Sequence, residues 1–249
     1  MAIGIGLALF VVFIIATWLL RPRLVLALIQ SLSKKVLFYV KTKKTVIALT
    51  IDDVPDRETI PLILDVLDEN DAKATFFIIS NQIDGNEEIL ESIVKAGHEL
   101  GNHTTQDSPS ILRSPNNFKA DLLEAGKKIS AFAPVQWFRP ASGFYHPCMI
   151  KIAEEANYQT ALGDVFPLDT LITSVDFAAK YIMRNIQPGS IIVLHDNSHN
   201  EQQKKKENPE KVHSRGERAI KTLEIVLPKL QAQKYTVTTL SELKSFSST

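Results

Sequence analysis

The sequence predicts an α/β fold in which helices cover a parallel sheet, closed as a barrel or left open as a doubly wound sheet. From about residue 44 onward, short apolar runs alternate with amphipathic segments, which is the pattern of repeated strand–helix units. The runs TVIALTI (45–51) and GSIIVLHD (189–196) are almost continuously apolar, as expected for strands that are buried on both faces. Ionisable residues follow most of the predicted strands, at the edge where parallel folds collect reactive groups.

The predicted strands are short apolar runs bounded by polar or turn residues. They cover 45–51, 73–80, 98–103, 135–140, 158–164 and 189–196, and YTVTTLSEL (235–243) closes the chain. The predicted helices have apolar residues at helical spacing and cover 58–71, 86–97, 116–132, 149–157, 174–186 and 218–233. Gly97 marks the end of one helix, and Ser174 is a candidate N-cap for another.

Residues 1–22 are predicted to form a transmembrane anchor. The stretch 2–20 carries no charge, and about 20 apolar residues are enough to cross a bilayer. Trp18 lies near its end, where an aromatic side chain would reach the membrane interface. A cleaved signal peptide is the alternative, but it would have a basic start and a shorter apolar region. We therefore expect a membrane protein with a single N-terminal span.

Residues 23–43 are predicted to be an amphipathic, basic linker before a catalytic domain over 44–249. The stretch LVLALIQSLS (24–33) is expected to form an apolar helix lying on the membrane. Basic residues follow the span at positions 21, 23, 34, 35, 41, 43 and 44. The positive-inside rule would then place the domain in the cytoplasm, whereas a polymer substrate argues for the outside, so the side of the membrane stays open. A solvated linker is the other interpretation of the lysines.

Composition excludes some classes of function. The chain has 249 residues with 28 basic and 28 acidic side chains, so it lacks the basic excess that is typical of nucleic-acid partners. Cys148 is the only cysteine, which rules out an intrachain disulfide. The segment 199–217 is polar and without apolar periodicity, so it is predicted to be an exposed, mobile loop. Nothing in the sequence constrains the oligomeric state.

The adjacent acids Asp52 and Asp53, in LTIDDVP (49–55), follow a buried strand. Their carboxylates repel each other and lose water there, so one is expected to have a raised pKa unless a cation binds. A divalent ion would neutralise one acid and leave the other to take a proton from water. His103 and Asp107 are four residues apart, and a helical turn would place both on one face. With one of the aspartates they make the three protein ligands of a catalytic zinc site.

In order and spacing, these motifs resemble those of the polysaccharide deacetylases, the NodB-type domains of carbohydrate esterase family four. The matching stretches are TIDD (50–53), HTTQD (103–107), RPASGF (139–144), the acid at 169 and LHD (194–196), and the resemblance covers roughly 44–243. It implies an irregular (β/α) barrel of about seven parallel strands. It also implies a metal-dependent hydrolase that removes N-acetyl or O-acetyl groups from a sugar polymer or oligomer, such as chitin-like or peptidoglycan-like N-acetylglucosamine.

The resemblance further implies a role for each matched residue. Asp52 would be the general base, Arg139 the residue that orients it, His195 the general acid and Asp169 the acid that tunes His195. The implied metal ligands are Asp53, His103 and Asp107, and the implied substrate-binding residues are Phe144, Tyr145 and Leu194. Zn²⁺ is the expected ion, with Mn²⁺ or Co²⁺ as alternatives.

Two positions depart from the family pattern. Asp107 stands where the family usually has a second histidine, which adds negative charge and favours harder ions such as Mn²⁺ beside Zn²⁺. Thr170 stands where a tryptophan often follows the acid. Two other functions therefore stay open: hydrolysis of a small non-sugar amide, and carbohydrate binding by an inactive, membrane-anchored protein.

Overall fold

The computed structural model describes residues 23–32, 35–196 and 214–247. The predicted membrane anchor at 1–22 lies outside these residues, as does most of the loop predicted at 199–217. Among the described ranges, no helix has both the length and the apolar character needed to cross a bilayer.

Parallel strands form one sheet, and the described part of the chain contributes eight of them rather than about seven. They are β1 (Val36–Leu37), β2 (Val46–Val54), β3 (Ala74–Ile78), β4 (Glu99–Asn102), β5 (Trp137–Phe138), β6 (Gln159–Ala161), β7 (Ile191–His195) and β8 (Thr236–Thr238). Their order is β1-β6-β5-β4-β3-β2-β7, and β8 also pairs with β2.

The sheet from β6 to β7 closes into a barrel, because the segment that follows β6 pairs with β7. Val165 pairs in parallel with Ile192 of β7. The Val165 N–H donates to the Ile191 carbonyl at 3.1 Å, and the Val193 N–H donates to the Val165 carbonyl at 2.9 Å. The architecture is therefore a parallel-sheet α/β fold consistent with a (β/α) barrel.

Helices pack around the strands. In the described ranges they are α1 (Arg23–Leu32), α2 (Ile60–Glu69), α3 (Glu87–Lys95), α4 (Pro115–Ile129), α5 (Pro147–Glu155), α6 (Val175–Asn185), α7 (Arg215–Ala232) and α8 (Leu240–Ser245). The predicted caps are confirmed: the Ser174 hydroxyl accepts from the Phe177 N–H, and Gly97 follows α3 with a φ of +78°, a conformation that glycine adopts readily.

Strand β2 is the centre of the core. All nine of its residues are buried. Strand β7 pairs along one edge, and β3 and β8 pair along the other. Ile47, Leu49 and Ile51 belong to the largest apolar cluster, together with Ile63 of α2 and Leu223 of α7. Burial on both faces explains why the sequence of this strand is continuously apolar up to its two acids.

The described part of residues 23–43 packs against the barrel. Strand β1 pairs with β6, and Leu26 of α1 packs with Val36, Phe38, Ile150 and Leu162. Some of the apolar side chains that were expected at a membrane are therefore buried in the protein, while the domain boundaries stay predictions. Leu28 and Ile29 remain exposed on the outer side of α1.

Candidate active site

A cavity of about 320 Å³ opens at the carboxyl ends of the strands. The described residues that line it with polar groups include Asp52, Asp53, His103, Asp107, Arg139, His195 and Arg215. Except for Arg215, which begins α7, these groups lie at or after the carboxyl ends of β2, β4, β5 and β7, so the parallel arrangement carries side chains from distant parts of the sequence to one rim.

Asp52 forms a buried ion pair with Arg139. The Arg139 Nη1 atom donates to Asp52 Oδ1 at 2.6 Å and to Thr50 Oγ1 at 2.8 Å, and its Nε donates to the Ala161 carbonyl at 2.9 Å. The guanidinium also lies over the Phe77 ring, 4.1 Å from its centroid. Burial by itself would raise the pKa of Asp52, but the positive charges of Arg139 and the nearby histidines outweigh it and hold that pKa below the usual value. Asp52 is thus a fixed carboxylate.

His195 is held by Asp169. Its Nδ1 atom lies 3.0 Å from Asp169 Oδ1, and its backbone N–H donates to Asp169 Oδ2 at 2.9 Å. Its Nε2 atom faces Asp52 Oδ2 at 3.9 Å. Burial opposes the charged imidazole, but the carboxylates of Asp169, Asp52 and Asp53 raise the pKa of His195 to about 9. At neutral pH this side chain is a proton donor.

His103 and Asp53 face each other in the cavity. The His103 Nδ1–H donates to the Arg139 carbonyl at 2.8 Å, so Nε2 is the ring nitrogen that can bind a cation. That atom lies 3.6 Å from Asp53 Oδ1, and both side chains are 4% exposed. A backbone carbonyl that fixes the tautomer in this way is typical of metal-binding histidines, so this pair has the chemistry to hold a divalent ion.

A β-bulge explains how two neighbouring acids reach one cavity. Successive residues of a regular strand point to opposite faces, yet Asp52 and Asp53 both line the cavity. The pairing of β2 with β3 shifts register between Ile51 and Val54, and Asp53 has a φ of +65°. This costly backbone conformation turns the second carboxylate back towards the first.

Asp107 is placed differently from the prediction. Residues 103–107 form an irregular segment with bends at 105–107 rather than a helical turn, since Thr104 has a φ of +70°. Asp107 is exposed at the cavity rim, close enough to Asp53 for its charge to favour the protonated form of that acid. Within the described ranges, no three His, Cys, Asp or Glu side chains are grouped closely enough to hold a metal ion. The four-residue spacing was therefore the wrong reason to join Asp107 to His103.

Arg215 is a site residue that the sequence reasoning missed. Its Nη1 atom donates to Asp53 Oδ2 at 3.0 Å, and it belongs to the first turn of α7 rather than to a loop. The Ser214 hydroxyl accepts from the Glu217 N–H, and the Glu217 carboxylate accepts from the Ser214 N–H. The Ser-x-x-Glu pattern of this capping box can be recognised in the sequence, so the start of the helix could have been predicted. The contact between Arg215 and Asp53 could not.

The three residues predicted to bind substrate lie in different environments. Phe144 lines the cavity and is 44% exposed. Tyr145 instead packs with the apolar clusters around α5 and α1. Leu194 is fully buried in the main core, because strand alternation sends Val193 and His195 to the cavity and the residue between them to the opposite face. Of the described residues, Val193 and Leu162 therefore provide the apolar wall assigned to Leu194.

The comparisons with known proteins agree with the motifs. The sequence model of the polysaccharide deacetylase family matches residues 39–161. A peptidoglycan-N-acetylglucosamine deacetylase of Bacillus cereus (strain ATCC 14579) is 30% identical over 207 residues, which are 82% of this chain and 90% of that protein. The chain belongs to the polysaccharide deacetylase family. The resemblance inferred from the motifs is confirmed.

Other members of the polysaccharide deacetylase family show its functional range. A chitooligosaccharide deacetylase of Sinorhizobium fredii (strain NBRC 101917 / NGR234) is 29% identical over 151 residues, 59% of this chain and 70% of that protein. Among solved structures, BA3943, a CE4 family pseudoenzyme from Bacillus anthracis, has a TM-score of 0.73 at 25% identity, covering 86% of this chain and 72% of that one. Because a pseudoenzyme is among the similar proteins, the activity of this chain must be argued from its own site.

Proposed function

We propose that the protein is a hydrolase that removes acetyl groups from N-acetylglucosamine units of a sugar polymer or oligomer. One observation carries the proposal: a fixed carboxylate, Asp52, and a protonated imidazole, His195, face each other at 3.9 Å across the cavity. Each is held by its own partner of opposite charge, Arg139 for the acid and Asp169 for the histidine. The family relationship and the two deacetylases named above support this choice of substrate class.

The two groups supply the two proton transfers that amide hydrolysis requires. Asp52 accepts a proton from the attacking water, whose oxygen forms the new bond to the acetyl carbon. His195 donates its Nε2 proton to the amine nitrogen as the carbon–nitrogen bond breaks. Acetate and a free amino sugar are the products. General acid and base groups of this kind each contribute about 10²–10⁴-fold to a rate.

The proposal includes a divalent metal ion, Zn²⁺ first, with Mn²⁺ or Co²⁺ as alternatives. Asp53 and His103 fit this role because their facing atoms are buried and the His103 Nδ1 atom is bonded to a carbonyl, which directs Nε2 to the cavity. Asp107, exposed at the rim, would have to turn towards this pair to be the third donor of the proposal. When bound, the ion would supply Lewis-acid activation of the acetyl carbonyl and of water. The residues of the chain hold the substrate and move the protons.

Two wall residues set what the cavity accepts. Phe144 is an exposed aromatic ring beside the opening, suited to stacking against a sugar. Thr170 lines the same cavity and offers a small polar side chain where a tryptophan often stands, so the wall is lower on that side. Hydrolysis of a small amide is the second candidate function, and this lowered wall is the observation that favours it.

The decisive experiment measures acetate release from N-acetylglucosamine oligomers by the purified full-length protein. Asp52→Asn should lower the rate by about 10²–10⁴-fold, because an amide cannot accept the proton. Metal content, measured by mass spectrometry, should stay at the wild-type level. Asp84→Asn, at a side chain that is 80% exposed, is the control and should keep the wild-type rate.

Three outcomes would reject parts of this proposal. Wild-type rates in Asp52→Asn would exclude Asp52 as the base. Oligomer binding without acetate release by the wild-type protein would indicate a carbohydrate-binding protein with an inactive site. Release from small acetamides but not from the oligomers would favour the second candidate function.

We also propose that the protein is anchored in a membrane through its N-terminal segment. The uncharged stretch 2–20 and the exposed Leu28 and Ile29 on the helix that follows it support this proposal. Sealed vesicles that contain the full-length protein should retain it after carbonate extraction. In a separate sample of intact vesicles, protease added from outside reports which side of the membrane carries the barrel. Extraction of the protein into the soluble fraction would exclude the anchor.

A further inference from the structure

Arg215 brings a fixed positive charge to the proposed metal ligand. Its Nη1 atom donates to Asp53 Oδ2 at 3.0 Å, and the two side chains are 17% and 4% exposed. The other oxygen of Asp53 faces His103 Nε2 at 3.6 Å. A divalent ion placed between Asp53 and His103 would therefore meet a carboxylate whose second oxygen is already engaged by a guanidinium.

The position of Arg215 is unfavourable for its own helix. A cation at a helix N-terminus opposes the helix dipole, and Arg215 is the first residue of α7. The contact with Asp53 compensates for this. Local rules are broken in this way mostly at functional sites, which argues that the arginine acts on the cavity rather than on the stability of α7.

The backbone around Arg215 is held against the barrel. A Cβ atom added at Gly216 would lie 2.4 Å from Asp196 Oδ1 and 2.6 Å from the Thr59 methyl group. A glycine is therefore required for the first turn of α7 to approach the end of β7 this closely. The same close approach positions the neighbouring Arg215 over the cavity.

Charges of opposite sign enter the site together. Asp107 contributes a carboxylate at the rim, where the family usually has a neutral histidine, and Arg215 contributes a guanidinium. The guanidinium lies 3.0 Å from Asp53 Oδ2. Arg215 thus offsets the negative charge that would otherwise draw a divalent ion to this cavity.

We propose that Arg215 sets the metal affinity of the site by competing with the divalent ion for the carboxylate of Asp53. This inference rests on the metal role proposed above. The guanidinium and the ion compete for the carboxylate oxygens of Asp53, and their like charges repel each other. The wild-type protein therefore binds divalent ions more weakly than the same site without the arginine.

The test compares the binding of Zn²⁺ and Mn²⁺ to metal-stripped, full-length proteins by isothermal titration calorimetry. Arg215→Gln removes the charge and should tighten binding by at least about tenfold, the scale on which neighbouring groups alter metal sites. Lys229→Gln makes the same charge change on the same helix. It is the matched control, because it lies fourteen residues further on, about 20 Å along α7, and should leave the affinity within about twofold of wild type.

Two further variants complete the design. Arg215→Met is a second uncharged replacement and should tighten binding to a similar extent, so the test survives if the glutamine variant does not fold. His103→Ala should abolish metal binding both in the wild-type protein and in Arg215→Gln. Melting temperatures in chelator and in excess ion give a second readout: the ion should raise the melting temperature of Arg215→Gln more than that of the wild-type protein.

The outcomes separate this inference from the proposed function. Equal or weaker metal binding by both uncharged variants, with binding lost in His103→Ala, would overturn the role of Arg215 alone. The absence of binding by every variant would overturn it together with the metal role. Tighter binding by the variants without any acetate release would support the role of Arg215 while rejecting the enzymatic reaction.

Discussion

Asp53 and Asp164 are two buried carboxylates that each meet the first arginine of a helix, yet their surroundings differ. Arg215 of α7 lies 3.0 Å from Asp53, and Arg23 of α1 lies 3.6 Å from Asp164. Burial is the main reason that the pKa of each acid is raised to about 6. By charge and burial alone, the two sites look alike.

The hydrogen bonds separate the two acids. Asp164 Oδ1 accepts from the Ile191 N–H at 2.8 Å, and its Oδ2 accepts from the Ser190 hydroxyl at 3.0 Å. Asp53 instead lines a cavity, where its Oδ1 lies 3.6 Å from His103 Nε2 and its Oδ2 accepts from Arg215. A buried acid whose oxygens are both bonded by the backbone and a neighbouring hydroxyl holds the fold together, whereas one that faces a histidine nitrogen across a cavity is suited to bind a cation.

The largest expected effect comes from Asp53→Ala. Loss of the proposed ligand should lower acetate release by at least about 100-fold, because a Lewis-acid ion is worth several kcal/mol of transition-state stabilisation. The free energy of unfolding without metal should change by no more than about 1 kcal/mol, because the loss of the partner of the partly exposed Arg215 is offset by removal of the buried, desolvated charge of Asp53. Urea denaturation and rate assays together check both points. A large loss of stability in Asp53→Ala would show that Asp53, like Asp164, has a structural role.

Asp164→Ala should have the opposite profile. It leaves the Ser190 hydroxyl and Arg23 without their shared carboxylate, and breaking such a buried arrangement costs about 3 kcal/mol. Acetate release per folded molecule should stay at the wild-type level. Asp84→Ala, at an exposed acid, is the control and should change the unfolding free energy by less than about 0.5 kcal/mol. A selective loss of activity in Asp164→Ala would contradict the structural role.

The pH dependence of stability sharpens the same comparison. The pKa of Asp164 is about 6 in the folded protein, against 3.8 for the unperturbed group, so between these values the folded state binds more protons than the unfolded state. Stability from this group is therefore lost as the pH rises from about 4 to about 6, by about 2–3 kcal/mol. Urea denaturation should show that the wild-type protein gains this amount relative to Asp164→Asn when the pH falls from 7 to 4. Parallel curves for the two proteins would contradict the raised pKa.

The smallest effect is expected from Arg23→Gln. Arg23 also donates to the Pro188 carbonyl at 2.7 Å and lies over the Tyr39 ring, 4.3 Å from its centroid, but its side chain is 20% exposed. We expect a loss of about 1 kcal/mol in unfolding free energy, because partly exposed ion pairs contribute little. Metal affinity should be unchanged, in contrast to Arg215→Gln. A change in metal affinity would show that the two arginines are not separate in function.

Local patterns in the sequence predicted much of the fold and part of the site. Alternating apolar and amphipathic runs indicated the order of strands and helices, because the two periodicities follow from backbone geometry. The positions of Asp52, His103, Arg139 and His195 at strand ends predicted a common rim, since parallel strands end on the same side. The motifs alone indicate the polysaccharide deacetylase family.

The sequence by itself thus determined the class of fold, the family and the residues at the strand ends. Only the tertiary structure decided that Arg215 contacts Asp53 from 162 residues away, that α1 packs on the barrel, and that Val193 rather than Leu194 faces the cavity. The physical reason is that such contacts depend on how distant segments pack and on a register shift in β2, and no local periodicity encodes either one.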